Sequence, residues 1–521
     1  MSTPTAVSDA TTSDLSAVPR RARRLPEPCV MVIFGASGDL TERKLIPALY
    51  YLHRHGLLPQ GFSVVGCARS SFSDDQFRER QHEAVRKYLD LPSEDESYLS
   101  SFLEGVFYIR GDYGSADAYE RLAKALDDLD EKRGTGGNRL FYMATPPSFF
   151  GDIVRNLGAS GLARPKHEGK SWTRVVIEKP FGHDLESARE LNRLVTSVFS
   201  EDQIYRIDHY LGKETVQNLL VFRFANGVFE PVWNRRYIDH VQIAVAEELG
   251  LEGRGGYYEE AGLVRDMIQN HVLSLMSLVA MEPPSQFEAT SVRDEKSKVM
   301  RAIRPLPLDR LGDVAVRGQY VEGWSGDQKL PAYRAEPKVS PQSVTETFAA
   351  LKLYIDNWRW ADVPFYIRSG KRLPKRISEI TIEFRRAPHL LFRGTITEDM
   401  VPNLLRVRIQ PDEGISLRFN AKIPDTTMQI KPVDMDFRYN EAFAASPPTA
   451  YETLLLDCML GDPMLFTRNE FVDLAWELIT PLLHRWREDG RKGLYFYEAG
   501  TWGPPEADAL VERDGRHWRH L

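Results

Sequence analysis

The 521-residue chain has only three cysteines, Cys29, Cys67 and Cys458, and they lie far apart in the sequence. No pair has the CxxC spacing of a zinc site, and three distant thiols do not make a disulfide framework. We therefore expect no metal ion in this protein and a location in the reducing cytoplasm.

Long apolar runs are also missing. No stretch approaches the roughly 18–20 residues that a membrane-spanning helix needs, so we expect no membrane contact.

Neither sign of charge dominates. The chain has 67 lysines and arginines and 74 aspartates and glutamates, which give a net charge of −7 and disfavour a surface that coats nucleic acid. Hydrophobic residues at 42% and charged residues at 27% are ordinary for globular proteins and exclude a disordered chain or a coiled-coil rod.

The first 25 residues are predicted to form a disordered tail. Residues 1–19 are mostly small and polar and lack the apolar core of a signal peptide. Four arginines follow between positions 20 and 24. They could form a targeting or anion-binding tag, but chain termini commonly fray, and a solvated tail is the simpler interpretation.

Residues 26–205 alternate short apolar segments with helical stretches. The first segment, residues 29–34, is continuously apolar, which is typical of a strand buried on both faces of a parallel sheet. Ser73 and Gln76 have the capping-box spacing that begins a helix. The alternation predicts an α/β Rossmann-type domain with a doubly wound parallel sheet. Its further strands are predicted at 62–65, 106–109, 140–144 and 175–177.

Residues 206–521 change to a period of two, in which apolar and polar side chains alternate. This pattern is typical of antiparallel strands with one covered face, and it predicts a larger α+β domain with a mostly antiparallel sheet. The polar faces could be solvated or could meet a partner subunit. Residues 282–343, rich in proline and charge, are predicted to be irregular. The alternating segments lie at 241–245, 380–384, 405–409, 415–423 and 433–439.

A glycine-rich turn follows the first predicted strand. Small residues there let the backbone approach a phosphate, and the N-terminus of the next helix provides free N–H groups. The spacing between Gly35 and Gly38 is shorter than the full dinucleotide fingerprint, so the prediction depends on the order strand, turn, helix. This context predicts a dinucleotide site formed by Gly35, Ala36, Ser37, Gly38, Asp39 and Leu40.

The second predicted strand ends without a carboxylate. NAD-specific sites place Asp or Glu there to hold the ribose hydroxyls, whereas Arg69 follows this strand. A guanidinium can bind a 2′-phosphate through two hydrogen bonds, which favours NADP, although an ordinary surface arginine fits the spacing as well. Weaker cofactor candidates at the ends of the third and fourth strands are Asp112, Tyr113, Ala144 and Pro147.

Three further segments carry groups that suit a sugar phosphate. Lys179 follows the strand at 175–177, at the edge where ligands bind in such sheets, and could contact both nicotinamide and substrate. Structural charge clusters and ordinary basic turns are the alternatives in every case. The phosphate candidates are His209, Tyr210 and Lys213 in the RIDHYLGKE segment. Further cations that could reach the substrate follow the strand at 365–370, and they are Lys371, Lys375 and Arg376.

A histidine, His271, lies on the apolar stripe of a helix predicted at 263–279. It could be a satisfied core residue, or it could be a base that removes a hydroxyl proton, in which case a carboxylate must orient it. Asp266 is five residues earlier, about 140° around an α-helix, so it is not a simple neighbour. The partner would then come from another element, such as Asp208.

These segments, in this order and separation, resemble the glucose-6-phosphate dehydrogenase family. The resemblance covers nearly the whole chain from about residue 28, and the RIDHYLGKE and EKPFG motifs together are highly specific. The motifs that carry it are GASGDLTERKLIPALY, EKPFGHDLESA, RIDHYLGKE, RDMIQNH, VRDEK, DNWRWADVPFYIRSGK and AGTWGPPEAD.

The resemblance implies an NADP-dependent enzyme that oxidises the anomeric hydroxyl of β-D-glucose 6-phosphate to 6-phospho-D-glucono-1,5-lactone, the first step of the oxidative pentose phosphate pathway. Matched motif by motif, it implies His271 as the general base and Asp208 as its partner. The other implied contacts are to the substrate, by Lys179, His209, Tyr210, Lys213, Glu247, Asp266, Lys371 and Arg376, and to the cofactor, by residues 35–40, Arg69 and Lys179.

The family usually assembles as a dimer or a dimer of dimers through the large sheet, so the resemblance also implies a homodimer or homotetramer. Two other hypotheses stay open at this point. A sugar dehydrogenase of the glucose–fructose oxidoreductase type also joins a Rossmann domain to an open sheet and has an EKP motif. A non-catalytic NADP-binding subunit would keep the fold but lack some of the catalytic residues.

Overall fold

The computed structural model describes residues 24–89, 91–92, 95–387, 401–424, 426, 429–443 and 448–519. Most of the tail predicted at residues 1–25 therefore lies outside the described residues. Within them, two large sheets organise the chain, one of six strands and one of nine.

The smaller sheet is entirely parallel, with strand order β3-β2-β1-β4-β5-β6. This order reverses between β1 and β4, the point at which ligands bind in doubly wound sheets. β1 and β4 are buried along their whole length. The prediction of a Rossmann-type parallel sheet is confirmed. The six strands are β1 (Val30–Phe34), β2 (Ser63–Ala68), β3 (Val106–Arg110), β4 (Arg139–Met143), β5 (Thr173–Ile177) and β6 (Ile204–Arg206).

Helices cover both faces of this sheet. Val32 and Phe34 of β1 face one hydrophobic core, while Met31 and Ile33 face another, because successive strand residues point to opposite sides. The capping box predicted at Ser73 is present, since its hydroxyl accepts the Gln76 N–H at 3.2 Å. The helices are α1 (Ile46–Arg54), α2 (Asp74–Tyr88), α3 (Glu96–Leu103), α4 (Ala116–Arg133), α5 (Phe150–Ala159) and α6 (Leu185–Thr196).

The larger sheet has the order β16-β15-β14-β13-β7-β12-β11-β8-β17, and six of its eight neighbouring pairs are antiparallel. The predicted α+β domain with a mostly antiparallel sheet is confirmed. A short hairpin, β9 (Gly323–Ser325) and β10 (Gln328–Leu330), stands apart from it. The sheet strands are β7 (Ile238–Ala246), β8 (Ala315–Val321), β11 (Phe348–Leu353), β12 (Phe365–Gly370), β13 (Ile377–Phe384), β14 (Leu404–Gln410), β15 (Gly414–Lys422), β16 (Ile430–Arg438) and β17 (Leu494–Glu498).

Residues 282–343 are not irregular, contrary to the prediction from their proline content. They contain the helix α10 (Ala289–Arg301) as well as β8. The prolines stand outside α10, and its Val292, Val299 and Met300 lie at helical spacing and are buried. The other helices of this half are α7 (Glu214–Phe224), α8 (Gly255–Leu263), α9 (Leu273–Ala280), α11 (Tyr439–Phe443), α12 (Ala450–Leu460), α13 (Asn469–Asp489) and α14 (Pro505–Glu512).

The two faces of the large sheet differ along its width. Near its centre, the polar face is covered by the end of the chain, because Arg516 pairs with Asp239 and Arg519 pairs with Glu379. At the β16 edge the apolar side chains are left open: Met435 is 63% exposed and Val433 is 38% exposed. Among the described residues, no helix is long and apolar enough to cross a membrane.

Candidate active site

The predicted cofactor residues meet at the carboxyl ends of the parallel strands. The turn after β1 is tight: Gly35 has φ +89°, and a Cβ there would lie 2.5 Å from the Ala144 oxygen after β4. Only glycine fits this approach without strain. The turn is fixed by two hydrogen bonds, from the Gly35 N–H to the Cys67 oxygen at 2.9 Å and from the Gly38 N–H to the Gly35 oxygen at 2.9 Å.

Arg69 lies where a 2′-phosphate-binding residue is expected, directly after β2. Its guanidinium carbon stands 5.0 Å from the centre of the Phe149 ring, and among the described residues it forms no ion pair. The Tyr113 ring packs edge-on against the same Phe149 ring, with ring centres 5.2 Å apart. Asp112 is exposed and accepts the Gly114 N–H at 2.9 Å, and Pro147 begins a one-turn helix nearby. These side chains fit a cofactor that carries an adenosine phosphate.

His271 is buried and is paired with Asp208 from a different element. The Nδ1–H of His271 donates to Asp208 Oδ1 at 2.5 Å. The Asp208 loop follows β6, and the backbone N–H of Tyr210 donates to the same oxygen at 3.0 Å. Asp208 is therefore oriented by its own loop. Because Asp208 accepts the Nδ1–H, the other ring nitrogen of His271, Nε2, is the basic one, and it has no hydrogen-bond partner among the described residues.

Two aromatic side chains of the same loop hold the His271 ring. Tyr210 is stacked on it with ring centres 4.6 Å apart, and His209 meets it edge-on at 4.6 Å. The Tyr210 hydroxyl is itself 3.2 Å from the Ser378 hydroxyl on β13. The imidazole is thus restricted to one orientation by packing as well as by its carboxylate.

The electrostatics of the pair favour a neutral imidazole beside an ionised carboxylate. Burial lowers the pKa of His271 below its ordinary value, although the Asp208 charge acts in the opposite direction. Burial also opposes ionisation of Asp208, but the hydrogen bonds that it accepts from His271 and from the Tyr210 N–H act in the opposite direction, and the pKa of Asp208 lies below its usual range. A buried histidine in this state can accept a proton near neutral pH.

The helix that carries His271 is not α-helical throughout. Val264–Val272 is wound as a π-helix, and α-helical geometry begins only with α9. Because a π-helix bonds residues five apart, Asp266 lies about one turn before His271 and not on the far side, as α-helical spacing indicated. Asp208 is still the hydrogen-bonded partner, and Asp266 is a second anionic charge that acts on His271.

Buried side chains hold both ends of this helix. At its start, Glu346 accepts the Val264 N–H at 3.1 Å, next to Gly262, where a Cβ would lie 2.6 Å from the same carboxylate. At the end of α9, three buried side chains donate to its last carbonyl groups at 2.8–2.9 Å, which satisfies groups that a helix end leaves free. They are Arg223, Trp233 and Trp360.

Lys179 connects the cofactor crevice to the His271 helix. Its ammonium donates to the Asp266 backbone oxygen at 2.9 Å and to Asp266 Oδ1 at 3.2 Å. Burial favours the neutral amine, but Asp266 outweighs it and raises the pKa of Lys179. Lys179 is therefore a permanent cation between the two sheets.

A second cationic group lies at the start of α7. Lys213 donates to the Gln410 side-chain oxygen at 2.5 Å, and Arg376 donates to the same oxygen at 3.2 Å. Burial lowers the pKa of Lys213 to about 8; the charge of Glu413 opposes this effect, and the charges of Arg376 and Lys44 add to it. Lys213 and Arg376, which share Gln410, are two cationic donors of the kind that a phosphate dianion accepts hydrogen bonds from.

Lys371 and Glu247 stand at the ends of two neighbouring parallel strands, β12 and β7. Lys371 donates to Glu247 Oε2 at 2.6 Å, and its ammonium lies 5.1 Å from the centre of the Tyr258 ring. The pair presents a hydrogen-bond donor beside an acceptor at this edge of the sheet.

Some residues of the site were not predicted from the sequence. Gln410, at the end of β14, joins Lys213 and Arg376, and Glu178 accepts hydrogen bonds from Tyr142 at 2.5 Å and Tyr451 at 3.2 Å. Glu178 precedes Lys179 in the EKPFG motif, and this position could have identified it from the sequence. Gln410 follows an alternating strand and gave no chemical signal.

Asp208, His209 and His271 also have ligand atoms close enough to hold a metal ion, as do Asp239, His240 and Glu383 among the described residues. The first cluster faces Lys179, whose charge lowers the pKa values of both histidines and would repel a cation. In the second, Arg516 already binds Asp239 at 2.7 Å. We assign no metal to either cluster.

Two family models match the chain. One describes the glucose-6-phosphate dehydrogenase NAD binding domain and matches residues 32–218. The other describes the glucose-6-phosphate dehydrogenase C-terminal domain and matches residues 220–519.

Individual relatives agree with the family models. Glucose-6-phosphate 1-dehydrogenase 2 of Mycobacterium tuberculosis is 49% identical over 504 residues, which cover 96% of each chain. Glucose-6-phosphate 1-dehydrogenase of Chlamydia pneumoniae is 47% identical over 502 residues, 95% of this chain and 96% of the relative.

Solved structures show the same architecture. A glucose-6-phosphate dehydrogenase in complex with its substrate glucose 6-phosphate superposes with a TM-score of 0.86 at 38% identity, over 96% of this chain and 100% of that one. A glucose-6-phosphate 1-dehydrogenase from Mycobacterium avium superposes with a TM-score of 0.78 at 36% identity, over 95% of this chain and 99% of that one.

Proposed function

The chain belongs to the glucose-6-phosphate dehydrogenase family, and from this premise we propose that His271 is the general base of its reaction. The chain oxidises glucose 6-phosphate to 6-phosphogluconolactone with reduction of NADP. The observation that supports the assignment is the buried His271–Asp208 pair, with Nδ1 bonded and Nε2 available.

His271 Nε2 takes the proton of the anomeric hydroxyl as the carbonyl of the lactone forms. When bound, NADP supplies the hydride acceptor. Asp208 keeps the proton of the free imidazole on Nδ1 and stabilises the imidazolium that results, as a buried carboxylate does beside a catalytic histidine. Glu247 and Asp266 orient the sugar hydroxyls, and Lys179 contacts both substrate and cofactor.

The assignment is tested by measuring NADPH formation with glucose 6-phosphate and, as a control, with unphosphorylated glucose. We expect turnover with the phosphosugar and little with glucose. Equal rates with both sugars would favour an oxidoreductase of the glucose–fructose type, and the absence of turnover with either would favour a non-catalytic NADP-binding subunit.

The Lys213 group is proposed to bind the substrate phosphate, together with His209, Tyr210 and Arg376. Replacing Lys213 with threonine should raise the KM for glucose 6-phosphate roughly 10- to 100-fold, because a charged hydrogen bond contributes about 1.5–3 kcal/mol. kcat should change little. The matched control is unphosphorylated glucose, whose KM should be the same in both proteins. An unchanged KM for glucose 6-phosphate would contradict the phosphate role.

Arg69 is proposed to bind the 2′-phosphate of NADP, and residues 35–40, Asp112, Tyr113, Ala144 and Pro147 to line the rest of the cofactor site. Replacing Arg69 with alanine should raise the KM for NADP by roughly tenfold or more, since a guanidinium–phosphate pair is lost. The KM for NAD, which lacks this phosphate, serves as the internal control and should change far less. An equal increase for both cofactors would refute the role.

The open apolar edge at β16 supports a further proposal, that the chain forms a homodimer or homotetramer through its large sheet. Met435 and Val433 are exposed in the single chain, and a second copy would cover them. Light scattering measures the mass directly, and a monomer at micromolar concentration would exclude this proposal. We also propose a cytoplasmic location, because Cys29, Cys67 and Cys458 are free thiols.

A further inference from the structure

Lys371 is fixed at its backbone but carries a long side chain. Its N–H donates to the Thr347 oxygen at 2.9 Å, and its carbonyl oxygen accepts the Tyr497 hydroxyl at 2.7 Å. Four methylene groups separate this backbone from the ammonium, and a lysine side chain that is free to move samples many rotamers. A lysine that meets a ligand at one place therefore needs partners for its ammonium as well.

Two side chains meet the Lys371 ammonium. Glu247 accepts one hydrogen bond from it at 2.6 Å, and the ammonium lies over the Tyr258 ring, 5.1 Å from the ring centre. Tyr258 is 2% exposed, and the Lys371 side chain is 5% exposed. At this distance the negative face of an aromatic ring attracts a cation, and the attraction is stronger where water is excluded.

Tyr258 is itself held in place through α8. A Cβ at Gly255 would lie 2.1 Å from the Pro337 oxygen, so the first turn of the helix rests directly on that backbone. Glu259, the next residue, accepts the Tyr333 hydroxyl at 2.6 Å. The Tyr333 ring in turn meets the Tyr258 ring edge-on, with ring centres 6.1 Å apart. The Tyr258 ring is therefore a fixed surface for the ammonium.

An aromatic ring suits this position better than a second carboxylate would. An ammonium has three N–H donors, and Glu247 takes one of them. A ring face attracts the charge without neutralising it, so the lysine keeps its charge for an oxygen of a ligand. A second carboxylate would neutralise the cation and take up another of its donors.

We propose that Tyr258 is a positioning residue for the substrate, whose ring face fixes the Lys371 ammonium beside Glu247 so that it can donate to an oxygen of the sugar phosphate. The inference rests on the proposed function, and within it on contact between Lys371 and glucose 6-phosphate, which the same experiment tests separately. The ordinary alternative is that Tyr258 only fills space beside Tyr333.

The test measures the KM for glucose 6-phosphate in Tyr258→Leu and Tyr258→Phe. Leucine removes the aromatic face, so the KM should rise roughly three- to tenfold, the effect of one cation–π contact, while kcat and the KM for NADP change little. Phenylalanine keeps the face and should restore the wild-type KM. The control is Tyr320→Leu, which removes an equally buried ring that packs against Tyr333 and should leave the KM unchanged.

A double-mutant cycle with Lys371→Met decides whether the ring acts through the ammonium. Once the ammonium is gone, adding Tyr258→Leu should lower kcat/KM no further. An equal loss in both backgrounds would show that Tyr258 only fills space, and equal losses in Tyr258→Leu and Tyr258→Phe would show that the ring face is not what matters. Either result would overturn the inference.

Thermal unfolding of each variant checks that it folds. If Tyr258→Leu does not fold, Tyr258→Met carries the same expectation, because an unbranched methionine fills irregular gaps and also lacks the aromatic face. Failure of the proposed function would look different: Lys371→Met would then keep the wild-type KM for glucose 6-phosphate, which removes the premise before Tyr258 is considered.

Discussion

Replacing His271 with asparagine is expected to lower kcat by roughly 10²–10⁴-fold, the loss typical of a positioned general base. Asparagine keeps a polar side chain that can still bond to Asp208, but it cannot take up a proton at neutral pH. The KM for glucose 6-phosphate should change only modestly, because Lys213, Arg376 and Lys371 stand at other positions of the site. Initial rates over a range of substrate concentrations separate the two constants.

The chain offers a close control for this variant. His240 is also buried, at 2% exposure, and its Nδ1 also pairs with a carboxylate, Asp239, at 2.9 Å. It lies in the large sheet beside the end of the chain, outside the proposed site. His240→Asn should keep kcat near the wild-type value. A near-wild-type kcat in His271→Asn, or equal losses in both variants, would contradict the role of His271.

The pH profile gives an independent check on the same residue. Burial lowers the pKa of His271 below its ordinary value near 6.5. The base acts only when it is unprotonated, so activity should appear as pH rises through a midpoint below that value and then level off. The acid limb should be absent from the residual activity of His271→Asn.

Much of the architecture could be predicted because local patterns agreed with the tertiary structure. The apolar segments at 29–34 and 140–144 became the buried strands β1 and β4, since a strand covered on both faces needs apolar residues throughout. The alternating segment at 433–439 became β16, but its Val433 and Met435 side chains are exposed. Alternation predicts a strand, but it does not show what covers the apolar face of that strand.

The errors arose where long-range packing overrides a local pattern. A π-helix at Val264–Val272 has no signature in apolar periodicity, because it is held from outside, by Glu346 at its start and by Lys179 on Asp266. Gln410 could not be found because its role comes from the strand pairing that brings β14 to α7.

Replacing Asp208 with asparagine should lower the plateau of kcat by up to roughly 10⁴-fold, the loss that the same change causes beside a catalytic histidine in serine proteases. The carboxylate oxygen Oδ1 accepts both the His271 Nδ1–H and the Tyr210 N–H, so the amide oxygen should take its place and keep the ring oriented. What is lost is the negative charge that stabilises the imidazolium. Thermal unfolding of the variant checks that the buried loop still folds.

The direction of the pH shift makes this variant more informative than its loss of rate. Without the Asp208 anion, the pKa of His271 should fall further, so the acid limb should move to lower pH while the plateau falls. A limb that stays fixed in Asp208→Asn would show that Asp208 does not act on the titrating base.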